Sequence, residues 1–148
     1  VAMKQKDSLE LIVHEYCHLT QWVDKAPVYM KASKYLLALD KWIEGKNLPI
    51  EVIDAAIKGI VDLELDNEKR AVAMIRKYNL NIDKDKYIKK ANAYLYFYHW
   101  MKETRRWSKS NNIPYKNKVI IDAMPTTFRG SYDKLPNRFK KLYKQENI

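Results

Sequence analysis

Two of the three histidines in this 148-residue chain stand four positions apart, in the run LIVHEYCHLTQW over residues 11–22. On a helix such positions share one face, so the imidazoles of His14 and His18 can reach a single metal ion at about 2.0–2.1 Å. Glu15 follows the first histidine directly. It is badly placed to share the ion but well placed to touch a water held there and take its proton. His14, Glu15 and His18 are thus the parts of a hydrolytic centre, and the expected cofactor is Zn2+. Leu9, Ile12, Val13, Tyr16, Leu19 and Trp22 recur around the pair at helical intervals, which supplies the helix that the spacing needs.

A hydrolytic zinc needs three protein ligands and one open position. Beyond the pair, the chain offers His99 and a group of carboxylates in DLELDNE, residues 62–68. Over residues 9–75 the sequence resembles the gluzincin group of zinc metallopeptidases, nearest to the small intracellular ImmA-like and SprT-like types. The resemblance implies a glutamate ligand on a later helix. Glu68-Lys69-Arg70-Ala71 matches the E-x-x-A pattern of several such families, 50 positions after His18, and makes Glu68 the favoured third ligand. The small Ala71 would let the two helices approach closely. Other gluzincins place the ligand four residues before a second acid. In that version Glu64 is the ligand and Glu68 stands behind a histidine.

The resemblance further implies a zincin-like helical core, a zinc-dependent hydrolase of peptidase type, and a peptide or protein substrate. It also implies a small β-sheet ahead of the HExxH helix. Only 13 residues precede His14, so that sheet either lies in a preceding segment or is lacking. No H-x-x-G-x-x-H extension follows the motif, which argues against the metzincin type.

The elements that must position these groups read as helices with short connections. The first is expected over residues 9–23, with Asp7 and Glu10 at capping-box spacing. A second follows Pro27 over residues 28–44, with Gly45 at C′. A third runs from Pro49 and Ile50 to Tyr78, interrupted near Gly59 and stopped at Asn79. Asp83 caps a fourth, aromatic helix that reaches Trp107. Residues 108–117 read as loop, 118–121 as a short strand or extended arm, 124–133 as irregular, and Pro136 opens a short basic helix to about Gln145. The fold class is mainly α with few or no strands. It divides into a helical metal-binding region, 1–107, and a basic aromatic extension, 108–148, packed on it or docking beside it.

Within the aromatic helix, Tyr94, Tyr98 and His99 are candidate donors toward a developing oxyanion. The alternative for this run is plain core. Cys17 is expected to pack as a small hydrophobe. As the only cysteine, it excludes an intrachain disulfide and suits a reducing compartment.

Charge is unevenly spread. Residues 1–75 carry 10 basic and 12 acidic side chains, and residues 76–148 carry 18 and 6, within a net charge of +10. Arg105, Arg106, Trp107, Lys140 and Lys141 are the candidate contacts to nucleic acid or to a larger assembly. No RRM, KH or zinc-finger signature accompanies them. A non-catalytic assembly protein with a zincin-like scaffold is therefore a competing expectation, and a nucleic-acid-associated protein a third. The polar first ten residues suggest no leader, and no apolar run suits a membrane span. A cytoplasmic or other intracellular location is expected. The Lys, Asn, Ile and Tyr bias suits an AT-rich genome, many phages included, so a virus particle is an alternative location.

Overall fold

The computed structural model describes residues 5–148, with side chains from Ser8 onward. Asp7 of the expected capping box therefore lies outside the described side chains. Among the described residues seven helices follow in order: α1 Gln5–Val23, α2 Pro27–Ala32, α3 Leu36–Ile43, α4 Ile50–Lys77, α5 Lys84–Thr104, α6 Lys118–Ala123 and α7 Asn137–Gln145. The architecture is mainly α, and no strand occurs among the described residues. None of the described helices is long and apolar enough to cross a membrane.

α4 is the central element, and α1, α2, α3 and α5 all pack on it. It runs unbroken through Gly59, where the sequence suggested an interruption. The glycine faces α2: a Cβ there would lie 3.6 Å from the Ala32 Cα atom of α2 and 3.9 Å from the Tyr35 ring. Those are ordinary contact distances. Gly59→Ala is therefore expected to stabilise the protein by about 0.8–1 kcal/mol through helix propensity alone, read as a rise in the urea midpoint. A fall would mean that α2 cannot accommodate the methyl group.

The single helix expected over 28–44 is broken at residues 33–35. The Ser33 hydroxyl turns back to the Met30 carbonyl at 3.0 Å, and the Tyr35 N–H bonds the Ala32 carbonyl at 2.9 Å. The break lets Ala32 bury completely and turns Tyr35 and Leu39 toward the core. Gly45 takes the positive φ of 105° that a helix-terminating glycine permits.

Asp83 caps α5 as expected, accepting from the Lys86 N–H. The helix ends at Thr104, three residues earlier than anticipated, because Arg105 adopts a left-handed conformation. Residues 118–121 are helical rather than extended. The Asn117 side chain accepts from the Ile120 N–H, and this cap overrides the β-branched Val119-Ile120-Ile121 run.

Two buried clusters fill the interior. The larger joins α3, α4 and α5 to the C-terminal segment through Ile57, Val61, Tyr96, Phe97, Ile120, Phe139 and Tyr143. The smaller joins α1, α4 and α5 through Val13, Cys17, Ala71, Val72, Tyr87 and Ile88. Residues beyond 107 thus share the core of the helical region. Tyr143 donates to the Ala93 carbonyl at 2.6 Å, and the Trp100 indole donates to the Ile148 carbonyl at 2.9 Å. On α1 only Val13, Cys17 and Gln21 are buried among the described side chains. Ile12, Tyr16, Leu19 and Trp22, read from their spacing as supporting that helix, lie more than half exposed on its outer side.

Candidate metal centre

The HExxH helix meets α4 side by side, with Val13 and Cys17 packed in one cluster with Ala71 and Val72. A fully buried alanine at the crossing keeps the two backbones close, and this brings His14 and His18 opposite the acids of α4. The rings of the pair are 4.7 Å apart and nearly perpendicular.

The Nε2 atoms of both rings face a single carboxylate oxygen. Glu64 Oε2 lies 3.8 Å from His14 Nε2 and 3.5 Å from His18 Nε2. His14, His18 and Glu64 offer three ligand atoms within 4.8 Å of one another. Atoms about 2.0–2.1 Å from a tetrahedral zinc stand roughly 3.3–3.4 Å apart, so these separations need little adjustment to close on an ion. Glu64 Oε2 is buried and has no hydrogen-bond partner, a costly state for a carboxylate oxygen unless something else satisfies it. Two imidazole nitrogens and one carboxylate oxygen that no hydrogen bond satisfies are a donor set that fits Zn2+. Side-chain exposures of 22% for each histidine and 13% for Glu64 leave the trio reachable from solvent.

Glu68, the favoured ligand on sequence grounds, is brought to the site on its other side. Its Oε1 accepts from His14 Nδ1 at 3.0 Å. The structure therefore places Glu64 toward the shared face of the pair and Glu68 behind His14, the arrangement of the alternative assignment. Asn67 lies beside them, donating to the His14 carbonyl at 3.2 Å. Neither Asn67 nor Gln21 was singled out from sequence. Gln21 stands three residues after His18, and that spacing was the available signal, since i and i+3 are neighbours on a helix.

Electrostatics at the pair follow from these contacts. Burial disfavours a charged ring at His14, but the hydrogen bond to Glu68 and the charges of Glu68, Glu64 and Glu15 outweigh it, and the pKa lies above the ordinary histidine value. At His18 burial is likewise overcome, chiefly by Glu64 and also by Gln21. The site therefore favours positive charge between its rings and acids. Cys17 is different. Burial, aided by the charge of Glu68, pushes its thiol up to about 11, so it remains protonated and packs as a small hydrophobe.

Glu15 is exposed on α1 at the edge of the histidine face, close enough for its charge to act on His14. Tyr94 and Tyr98 stand on α5 with their rings 5.0 Å apart, where the charge of Glu64 reaches both. Burial foremost, with the charge of Glu64, raises Tyr98 well above the ordinary tyrosine value, and burial pushes Tyr94 up to about 12. Both phenols thus keep their protons at neutral pH. His99 is not brought to this centre. Its Nε2 donates to the Tyr132 carbonyl at 2.6 Å, in a separate cleft lined by Asp54, Lys58, Asp62 and Asp133.

The basic candidates also separate. The Arg105 guanidinium donates to the Trp42 and Lys46 carbonyls at 2.9 and 2.8 Å, so it fastens the end of α3. Trp107 meets Phe97 edge-on at 5.4 Å. Arg106, Lys140, Lys141 and Lys144 line one open groove between the end of α5 and α7, where Lys140 pairs with Glu103 at 2.6 Å. Compared with protein-family profiles, with curated proteins and with solved structures, the chain finds no match in any of the three.

Proposed function

We propose that this chain is a zinc-dependent hydrolase of peptidase type, with His14, His18 and Glu64 holding the ion. The reading is carried by the buried Glu64 Oε2, which makes no hydrogen bond and lies 3.8 and 3.5 Å from the two Nε2 atoms. The crossing of the HExxH helix with a later glutamate-bearing helix also suits the zincin-like core that the gluzincin resemblance implies. Zinc bound there would supply Lewis acidity and ease the ionisation of water at the open position.

The remaining work falls to the chain's own side chains. Glu15 takes up the proton of the attacking water on its carboxylate, because it flanks the pair and is exposed. Tyr98, or its neighbour Tyr94, keeps its phenolic proton and offers it to the oxygen that gains charge as a carbonyl is attacked. Glu68 holds the His14 ring from behind. The substrate class is a peptide or protein.

Elemental analysis tests the site. Wild-type protein is expected to carry near one zinc per chain. His14→Ala combined with His18→Ala, and separately Glu64→Gln, are expected to carry almost none. Glu68→Gln is expected to retain zinc with roughly 10–100-fold weaker affinity, as for other residues that orient ligands. A reversed ranking of Glu64 and Glu68 would return the ligand role to Glu68. Zinc-free wild type would sink the hydrolase reading.

The groove lined by Arg106, Lys140, Lys141 and Lys144 favours a second reading, in which the chain docks onto nucleic acid or an acidic assembly such as that of a virus particle. If four phosphates are contacted, affinity for duplex DNA should fall steeply between about 50 and 200 mM salt, with a log–log slope of about −3.6. A flat salt response would count against it.

A further inference from the structure

We infer that Gln21 is a positioning residue for the metal centre: it locks His18 in the tautomer that carries its proton on Nδ1 and turns the bare Nε2 toward Glu64. This deepens the zinc reading and rests on it for its purpose, but the tautomer itself is a property of the metal-free chain.

The amide of Gln21 is fully buried. Its nitrogen lies 3.0 Å from the Leu63 carbonyl and 2.8 Å from Asp66 Oδ2. Both partners are acceptors only. The amide group facing them must therefore be NH2, because an oxygen in that position would meet two further oxygens in a buried setting. With the nitrogen fixed, the orientation of Oε1 follows. It lies 2.8 Å from His18 Nδ1. An amide oxygen cannot donate, so Nδ1 must hold a hydrogen. A bare Nδ1 lone pair would repel Oε1 at that distance. The 2.8 Å contact to Gln21 is a full hydrogen bond, whereas the 3.5 Å approach of Nε2 to Glu64 Oε2 is not, so in the neutral ring the single hydrogen sits on Nδ1 and Nε2 is the bare nitrogen.

The anchor of the amide is itself anchored. Asp66 is held by Arg70 Nε at 2.9 Å, and Arg70 Nη1 reaches back to Asp24 at 2.7 Å and Thr20 Oγ1 at 3.2 Å. The chain of contacts runs from α1 to α4 and back to α1. It ties α1 to α4 at the height of His18, while the tautomer is set by the Gln21 amide itself. His14 receives the corresponding service from a carboxylate, Glu68. The two ligands are thus oriented differently, one by a charged acceptor and one by a neutral amide. A neutral acceptor orients His18 without adding a further negative charge beside that ring.

Side-chain nitrogen NMR of metal-free protein at about pH 9, where free imidazole is neutral, reads the tautomer directly. Wild type should show the Nδ1–H form at His18. Gln21→Met keeps the length of the side chain and removes the acceptor. It should release the ring to a mixture with the Nε2–H form and weaken zinc binding roughly 10–100-fold. Thr20→Ala loosens the same helix end without touching the amide and should keep the Nδ1–H form. An Nε2–H ring in wild type would overturn the inference. So would a folded Gln21→Met protein with unchanged tautomer and zinc affinity. If Gln21→Met does not fold, the wild-type and Thr20→Ala spectra decide. Wild type that shows the Nδ1–H ring but binds no zinc would remove the metal reading and leave the orientation of His18 standing.

Discussion

Replacing Glu15 by glutamine is expected to leave zinc near one ion per chain while turnover falls by about 10²–10⁴-fold, the usual contribution of a positioned general base. The separation of the two effects follows from geometry. Glu15 is not among the three side chains whose ligand atoms gather in front of the histidines. It stands one residue beyond His14 and is exposed. Glutamine keeps its size and removes only the basic oxygen and the charge. The lost charge reaches His14, so zinc should bind slightly less tightly, well short of the loss expected at Glu64. In steady-state assays on a peptide mixture, kcat should fall with KM little changed, the pattern of an interaction made in the transition state. Full activity in the variant would mean that another group accepts the proton, and loss of zinc would mean that Glu15 helps to hold it.

The histidine pair was legible because its geometry is local: four residues of helix fix the face whatever else the chain does. The third carboxylate was not. Glu64 and Glu68 are about one turn apart on the same helix, and a shift of α4 along α1 by about 6 Å would exchange them. That height is set by long-range contacts with no local signature: Gln21 to Leu63 and Asp66, Asn67 to the His14 carbonyl, and Ala71 against Val13 and Cys17. The E-x-x-A pattern drew attention to the right turn of the helix but could not say which acid faced which nitrogen.

His99 shows the same limit in another form. Its neighbour Tyr98 is buried where the charge of Glu64 reaches it, and a step of one residue on a helix turns a side chain by about 100°, which carries His99 into the cleft where the Tyr132 carbonyl receives it. Helix type and approximate bounds followed from periodicity and caps. The break at residues 33–35 did not, because it serves the contact of Ala32 with α4 at Gly59. The short α6 did not either, because the Asn117 cap outweighs the β-branched residues that follow it.

The C-terminal segment offers the other large effect. Phe139→Ala is expected to destabilise the protein by about 3–5 kcal/mol, the usual cost of truncating a buried aromatic. Phe139 is 2% exposed, and its ring lies 4.9 Å from that of Tyr96 on α5. Set against a total stability of about 5–15 kcal/mol, such a loss brings the fold near its limit. Melting should move down by on the order of 10 °C. The more telling observation is where the loss is felt. Phe139 belongs to the larger cluster, and the helix that carries the proposed zinc ligands His14 and His18 packs in the smaller one, but α4 and α5 run through both. If they melt as a unit, zinc bound between α1 and α4 must stabilise a protein damaged at α7. At a free zinc concentration of about 100 times Kd the gain is about 2.7 kcal/mol, enough to recover much of the lost melting temperature. Calorimetry with and without zinc measures this. A Phe139→Ala transition indifferent to zinc, beside a second transition that zinc shifts, would show that residues 108–148 unfold apart from the metal centre and that the shared core does not couple them.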